Sequence, residues 1–433
     1  MEQQQDRSLA GLMDFIERSP GSYHAVHELT RRMDEAGFTA LSEAETWTLQ
    51  PGGCYYVVRS GASVISFKLP RRPARSMHLI ASHSDSPTFK LKPGGPILTP
   101  GAPARLNVEP YGGMLRQTWF DRPLSIAGRV LVQEGEHLRQ ALVYFDRDLV
   151  MIPSLAIHLK RDLPQQNTPP SVQNEMLPLF GENAQALPQM IAEAAQAQPE
   201  QILGADLFLT CREKPTLWGA DNEFLSAPRL DDLACCYASF EGFLAAVPDE
   251  HISLHCVFDN EEVGSRSEHG AESTFLRDTA LRIALGLGLS RDEFHAMLAR
   301  SFLVSADNAH AFHPAYPERY DPMNRPQMNG GPVLKHQAGQ KYTTDAVSEA
   351  IFKLVCKRCD VPMQEYTNRS DVPGGSTLGN ISNTQLSLRS VDIGLAQLAM
   401  HSAYETMGSR DCALLARFSE CFYRDALPEV ALV

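Results

Sequence analysis

Apolar and charged residues alternate at helical spacing from Leu9 to Ala36, with Ser22 placed to cap a second helix and Gly37 to stop it. The texture then changes to apolar runs of strand length: CYYVV from Cys54, SVISFKL from Ser63 and MHLIAS from Met77. Beyond Pro93 the chain becomes rich in Gly and Pro (GGPILTPGAPARLNVEPYGG). It then gives short β-like pieces, PLSIAGRVLV, ALVYF and SLAIHL, followed by a polar tract and a predicted Ala/Gln-rich helix over Gln185–Gln198. From about Ser226 strands alternate with helices again. ISLHCVFD, RSFLVSAD and LSLRSVDIGLAQLAM are separated by helical stretches such as Asp232–Ala246 and Thr344–Cys359.

That alternation predicts an α/β fold, a sheet with helices on both faces. The simplest parse is one discontinuous α/β domain, residues 1–93 and 226–433, interrupted by a β-rich insertion, residues 94–225. A length of 433 residues exceeds the usual size of a single core and agrees with that division.

Composition narrows the function classes. Hydrophobic residues make up 43% and charged residues 21%, values of a globular rather than a disordered chain. No apolar run reaches the 18 or so residues of a membrane helix, and the polar start MEQQQDRSLAG lacks the form of a secretory signal, so a cytoplasmic protein is expected. The net charge of −13 argues against a nucleic-acid partner. Nine scattered cysteines, several in apolar surroundings (Cys235, Cys236, Cys256), read as small buried hydrophobes of a reducing compartment. Cys356 and Cys359 form a C-x-x-C, but no second pair completes a zinc site, and the run AIFKLVCKRC has helical patterning.

The chemistry lies where the strand-like runs end. MHLIAS leads into His83 and Asp85, HCVFD into the adjacent Glu261 and Glu262, FLVSA into Asp307 and His310, and LAQLAM into His401. In open α/β sheets ligands bind beyond the carboxyl ends of the strands, so these four clusters are expected to converge. Asp231, in PRLDD just before a predicted helix, joins them. Histidines with hard carboxylates and no thiolate suit Zn²⁺, with Mn²⁺ or Co²⁺ as alternatives. Two divalent ions are close to neutralised by three carboxylates and a hydroxide, which leaves Glu261 outside the ligand set as a base.

The chain resembles the aspartyl aminopeptidases and their bacterial relatives, dinuclear zinc metallopeptidases. The resemblance rests on SPGSYHAV (Ser19–Val26), ASHSDSP, APRLDD, FDNEEVGS, SADNAHAFHP, Lys335–Tyr342, PGGST (Pro373–Thr377) and VDIGLAQLAMHSAYE. It implies a zinc-exopeptidase-like mixed sheet between helices, with the inserted domain serving dimerisation. It implies His83, Asp231, Glu262, Asp307 and His401 as metal ligands, Asp231 bridging both ions, and Glu261 as the catalytic base. His83 and Asp307 would complete one ion, Glu262 and His401 the other. It further implies that His158 of the insertion reaches a partner subunit's site, that His310, Lys335 and Tyr342 contact a peptide substrate, and that dimers build a tetrahedral dodecamer.

Asp232 reads as a first-turn acid at a helix start rather than a ligand. Asp85 reads as the carboxylate that fixes the His83 tautomer, or as an Asx-turn before Pro87. GGP and GGMLR lack the context of a phosphate loop and read as turns. The function expected is removal of the N-terminal residue of peptides, with acidic first residues as the family's preference. The rivals are an amidase or carboxypeptidase on the same dinuclear scaffold, and a homo-oligomeric shell with a vestigial or storage site.

Overall fold

The computed structural model describes residues 2–159, 169–428 and 430. Its central element is a mixed nine-stranded sheet in the order Thr39–Leu41, Cys54–Arg59, Ser63–Lys68, His251–Phe258, Ser76–His83, Phe302–Ala306, Arg389–Gly394, Val333–His336, Gln364–Thr367. Four adjacent strands run parallel: His251–Phe258 on Ser76–His83, then Phe302–Ala306, then Arg389–Gly394. Every residue of His251–Phe258 and Phe302–Ala306 is buried, which is why both read as continuous apolar runs rather than alternating ones. In this register His83 lies opposite Phe258 and Ala306 opposite Ile393, so the loops that follow all leave the same edge.

Helices cover both faces. Leu230–Ala245, Ala346–Arg358, Asp411–Arg424 and the N-terminal pair Glu2–Arg18 and Ser22–Glu35 pack one core, with Leu233, Phe240, Phe352 and Phe418 buried in it. Phe275–Gly286, Arg291–Leu298 and Leu378–Gln385 pack the other, with Phe258, Phe275 and Leu378 buried. The second helix is preceded by Gly21 rather than capped by Ser22, which is its first residue, and Gly37 follows with φ +81.

A second, antiparallel sheet runs His137–Tyr144, Leu124–Glu134, Ile202–Cys211, Thr88–Leu91, Val108–Tyr111 around its own core of Phe89, Trp119, Ile126 and Leu209. The chain passes from the first sheet to the second within Ser84–Pro87. A third sheet joins Thr216–Trp218 and Phe224–Ala227 to Glu405–Gly408, Ala396–Leu398 and Ala309–His310.

Three further sequence expectations change. The SLAIHL run does not form a strand: Ile157–Leu159 is a 3₁₀ turn with all three side chains exposed, so it has no buried pleat face. Its continuation into residues 160–168 lies outside the described residues. The Ala/Gln-rich helix is shorter, Ala186–Ala194, and Gln196 beyond it turns to φ +53. LSLRSVDIGLAQLAM divides into Arg389–Gly394 and Ala396–Leu398, which belong to different sheets. At that changeover a Cβ on Gly394 would meet the Asp307 carbonyl oxygen at 2.0 Å, so only glycine lets the two segments pass.

Candidate metal centre

His83 is the last residue of its strand, and its Nε2 is 3.5 Å from Asp231 Oδ1. Asp231 begins the Leu230–Ala245 helix in non-helical backbone (φ −83, ψ 108), which turns its carboxylate out of the helix line. Its other oxygen is 3.7 Å from His401 Nε2, and that nitrogen is 3.5 Å from Glu262 Oε1. Donor atoms therefore meet in overlapping groups: His83, Asp231 and Asp307; Asp231, Glu262 and His401; and His83, Glu261 and Glu262. Asp231 belongs to both of the first two. His401 reaches the cluster from the third sheet rather than from the end of a central strand.

The paired glutamates occupy a 3₁₀ turn, Glu261–Val263, bracketed by Asn260 at φ +62 and Gly264 at φ +98. Both left-handed positions suit Asn and Gly. A turn does not alternate side chains as a strand does, so both carboxylates can face one site. Asp85 holds that turn. Its Oδ1 accepts the Glu261 N–H and its Oδ2 the Glu262 N–H, each at 3.1 Å, while Tyr111 of the second sheet donates its hydroxyl to Oδ2 at 2.8 Å. The Asp85 carboxylate also lies 3.4 Å from His83 Nδ1, and its carbonyl 3.1 Å from it. Asp232 points elsewhere: it accepts the His83 backbone N–H at 3.2 Å.

His83, Asp231, Glu261, Glu262, Asp307 and His401 line a cleft of about 240 Å³ together with Asn308, His310, Lys335, Tyr342, Tyr366, Thr377 and Met400. Lys335 is buried; its Nζ donates to the Asn308 carbonyl at 2.8 Å, lies 3.9 Å from Asp307 and stands 5.5 Å from the Tyr342 ring centroid. Burial works against its charge, but Asp307 and its neighbours hold its pKa above the usual value. His158 does not line this cleft in its own chain.

Burial pushes Glu262 well up and Asp307 up, and raises Glu261 to about 8 with Asp307, Asp85 and Asp231 adding and His83 opposing. Asp231 Oδ1 is buried without a hydrogen-bond partner. Carboxylates this close resist ionising together unless cations compensate them. The donor set, imidazoles with carboxylates and no thiolate, fits Zn²⁺ in that role.

Sequence reasoning did not reach Tyr111, Asn308, Tyr366, Thr377, Met400 or Glu405. Asn308 and Met400 sit beside singled-out residues, and Glu405 closes the HSAYE stretch, whereas Tyr111 comes from the second sheet and carries no local signal.

The family described as "Aminopeptidase I zinc metalloprotease (M18)" matches residues 15–423. A protein of Clostridium novyi named "Probable M18 family aminopeptidase 2" is 39% identical over 411 residues, 92% of this chain and 94% of its own length. Among solved structures, that described as "Cryo-EM structure of the Ape4 and Nbr1 complex" superposes with a TM-score of 0.91 at 35% identity, covering 97% of this chain and 86% of that one. "Structure of S. cerevesiae mApe1 dodecamer" gives 0.83 at 30% identity, covering 97% and 96%.

Proposed function

The chain belongs to the aminopeptidase I zinc metalloprotease (M18) family and is a metalloaminopeptidase; from that premise we propose that it releases the first residue of short peptides at the His83–Asp231–Glu262 cleft, with acidic first residues preferred. The observation that carries this reading is the pair of overlapping donor groups that share Asp231. Under it, His83, Asp231 and Asp307 hold one zinc ion, and Asp231, Glu262 and His401 hold a second, with Mn²⁺ or Co²⁺ as alternatives. Zinc, when bound, supplies Lewis acidity toward water and the scissile carbonyl.

Glu261 takes the proton of the attacking water and delivers it to the departing amine. Asp85 orients it through the 3.1 Å bond to its backbone N–H. Lys335, Tyr342 and His310 hold the first residue, and the buried Lys335 ammonium is the charge that an acidic side chain would meet.

The same reading takes residues 1–93 and 226–433 as the catalytic domain and 94–225 as the dimerisation domain. The separate core of Trp119, Ile126 and Leu209 supports a division of this kind, although its sheet already begins at Thr88–Leu91, just before residue 94. His158 lies exposed beside Ile157 (74% exposed) and Leu159 (69%), an apolar surface suited to a second copy of the chain. A dimer-built tetrahedral dodecamer in the cytoplasm completes the proposal. The solved S. cerevesiae relative is a dodecamer, and among the described residues no helix is long and apolar enough to cross a membrane.

The test is an assay of zinc-reconstituted protein over the twenty aminoacyl substrates, each with free and blocked N-termini. Hydrolysis confined to free N-termini, fastest for Asp or Glu, is expected. Equal turnover of blocked substrates would point to an amidase, and zinc-loaded protein without turnover would leave only a shell or storage role.

A further inference from the structure

Glu405 is buried, 2% exposed, and stands at the start of the Glu405–Gly408 strand opposite Ala227. Its Oε2 accepts the backbone N–H of Asp231 at 3.0 Å, and its Oε1 accepts the backbone N–H of His401 at 2.7 Å. Both donors sit on irregular backbone. His401 has φ +65 and follows Ala399 at φ +56, while Asp231 breaks the helical path of its own helix. Left-handed non-glycine residues persist where their surroundings over-determine them. The strands Phe224–Ala227 and Glu405–Gly408 pair just outside these two turns, and this carboxylate bonds directly to the backbone of both ligand residues.

We propose that Glu405 is a positioning residue: a single carboxylate that fixes the spacing of Asp231 and His401 and thereby sets the affinity of the ion position these two share with Glu262. The inference rests on the dinuclear reading above. His401 belongs to one of the two ligand groups and Asp231 to both, so loss of the clamp weighs mainly on the His401 position. Outer partners of metal ligands commonly contribute 10- to 100-fold in affinity, about the size of effect expected here.

Asp411 supplies the control. It is also fully buried and accepts two backbone N–H groups, from Asn329 at 2.7 Å and Gly331 at 2.9 Å, but it does not line the cleft. The experiment is zinc titration of the metal-free full-length protein against a competing fluorescent chelator, for wild type, H401A, E405Q, E405D and D411N, with thermal unfolding of each metal-free variant. Wild type should bind two ions and H401A one. E405Q should weaken the step that H401A abolishes by about 10- to 100-fold and the other step less. E405D, one methylene short of spanning both N–H groups, should fall between and keeps the test available if E405Q does not fold. D411N should lower the unfolding temperature and leave both steps unchanged. An E405Q or E405D protein that behaves like D411N, or loses both steps equally, overturns the proposal. A wild-type protein that fails to bind two ions overturns the dinuclear reading instead.

Discussion

The carboxylate of Asp85 joins His83 to Glu262: it lies 3.4 Å from His83 Nδ1 and accepts the Glu262 N–H at 3.1 Å. One side chain at the crossing between two sheets thus sets both the imidazole's orientation and the turn that carries the paired glutamates. Replacing Asp85 with Ala should weaken zinc binding by about 10- to 100-fold. Tyr111→Phe, which removes one hydroxyl from the same carboxylate, should have a smaller effect in the same direction. Chelator competition measures both, and equal affinity in Asp85→Ala would contradict the role.

On the proposed role of Glu261 as the base, its removal should separate chemistry from binding. Glu261→Gln should keep two zinc ions per chain while turnover falls about 10²- to 10⁴-fold. Asp231→Ala should lose metal from both positions, because its carboxylate belongs to both donor groups. Elemental analysis beside a kinetic assay distinguishes the two, and metal loss in Glu261→Gln would move that residue into the ligand set.

Much of this was legible along the chain because the parallel strands are buried on both faces. Ser76–His83, His251–Phe258 and Phe302–Ala306 read as apolar runs, and their carboxyl ends carry His83, Glu261, Glu262 and Asp307 as expected of such a sheet. His401 joins the other donors by a route the sequence pattern does not show, since the strand before it belongs to the third sheet and the chain crosses over at Gly394. The bonds made by Tyr111, and by Glu405 at the end of a stretch that was singled out, were out of reach for another reason. Each residue acts through a hydrogen bond between elements distant in sequence, and one chain's pattern of apolar and polar positions holds no record of such contacts.

Stability of the metal-free protein should fall with rising pH. Burial raises Glu261 to about 8 and Asp411 to about 7, above their ordinary 4.5 and 3.8, so the folded chain holds protons that the unfolded chain releases. The stability these groups confer is complete below about pH 4 and is lost as pH rises through about 7 to 8. The buried histidines His24 and His255, pushed down by burial to about 4 and about 3, do not oppose this above pH 7 or so. Thermal unfolding of chelator-treated protein should therefore show a lower midpoint at about pH 8.5 than at about pH 7. Zinc uptake at neutral pH should release protons, measurable by calorimetry in buffers of different ionisation enthalpy. A midpoint that rises over that interval would sink the assignment.

Lys335 should set the response to the charge of the first residue. Lys335→Met removes the buried cation beside Asp307 while keeping much of the side-chain volume. Its kcat/KM should fall more for substrates beginning with Asp or Glu than for those beginning with Leu or Ala, by roughly tenfold or more if one charge-assisted contact is lost. A uniform loss over all substrates would assign Lys335 to holding the Asn308 carbonyl instead.

His158 should work across a subunit contact. It does not line the cleft of its own chain, and it stands exposed between the exposed apolar side chains of Ile157 and Leu159. A symmetric pair of chains would carry the same exchange on both sides. Two variants, His158→Ala and Glu261→Ala, should each be inactive alone. In a mixed dimer one site then has Glu261 from its own chain and an intact His158 from the other, and that site should recover activity. If His158 serves its own chain, both sites of the mixed dimer remain defective at every mixing ratio. Differently tagged chains verify exchange first, because unmixed homodimers would imitate that result. A verified mixed dimer without activity removes the assignment in trans and leaves the metal centre untouched, since the donor groups of His83, Asp231, Glu262, Asp307 and His401 all lie within one chain.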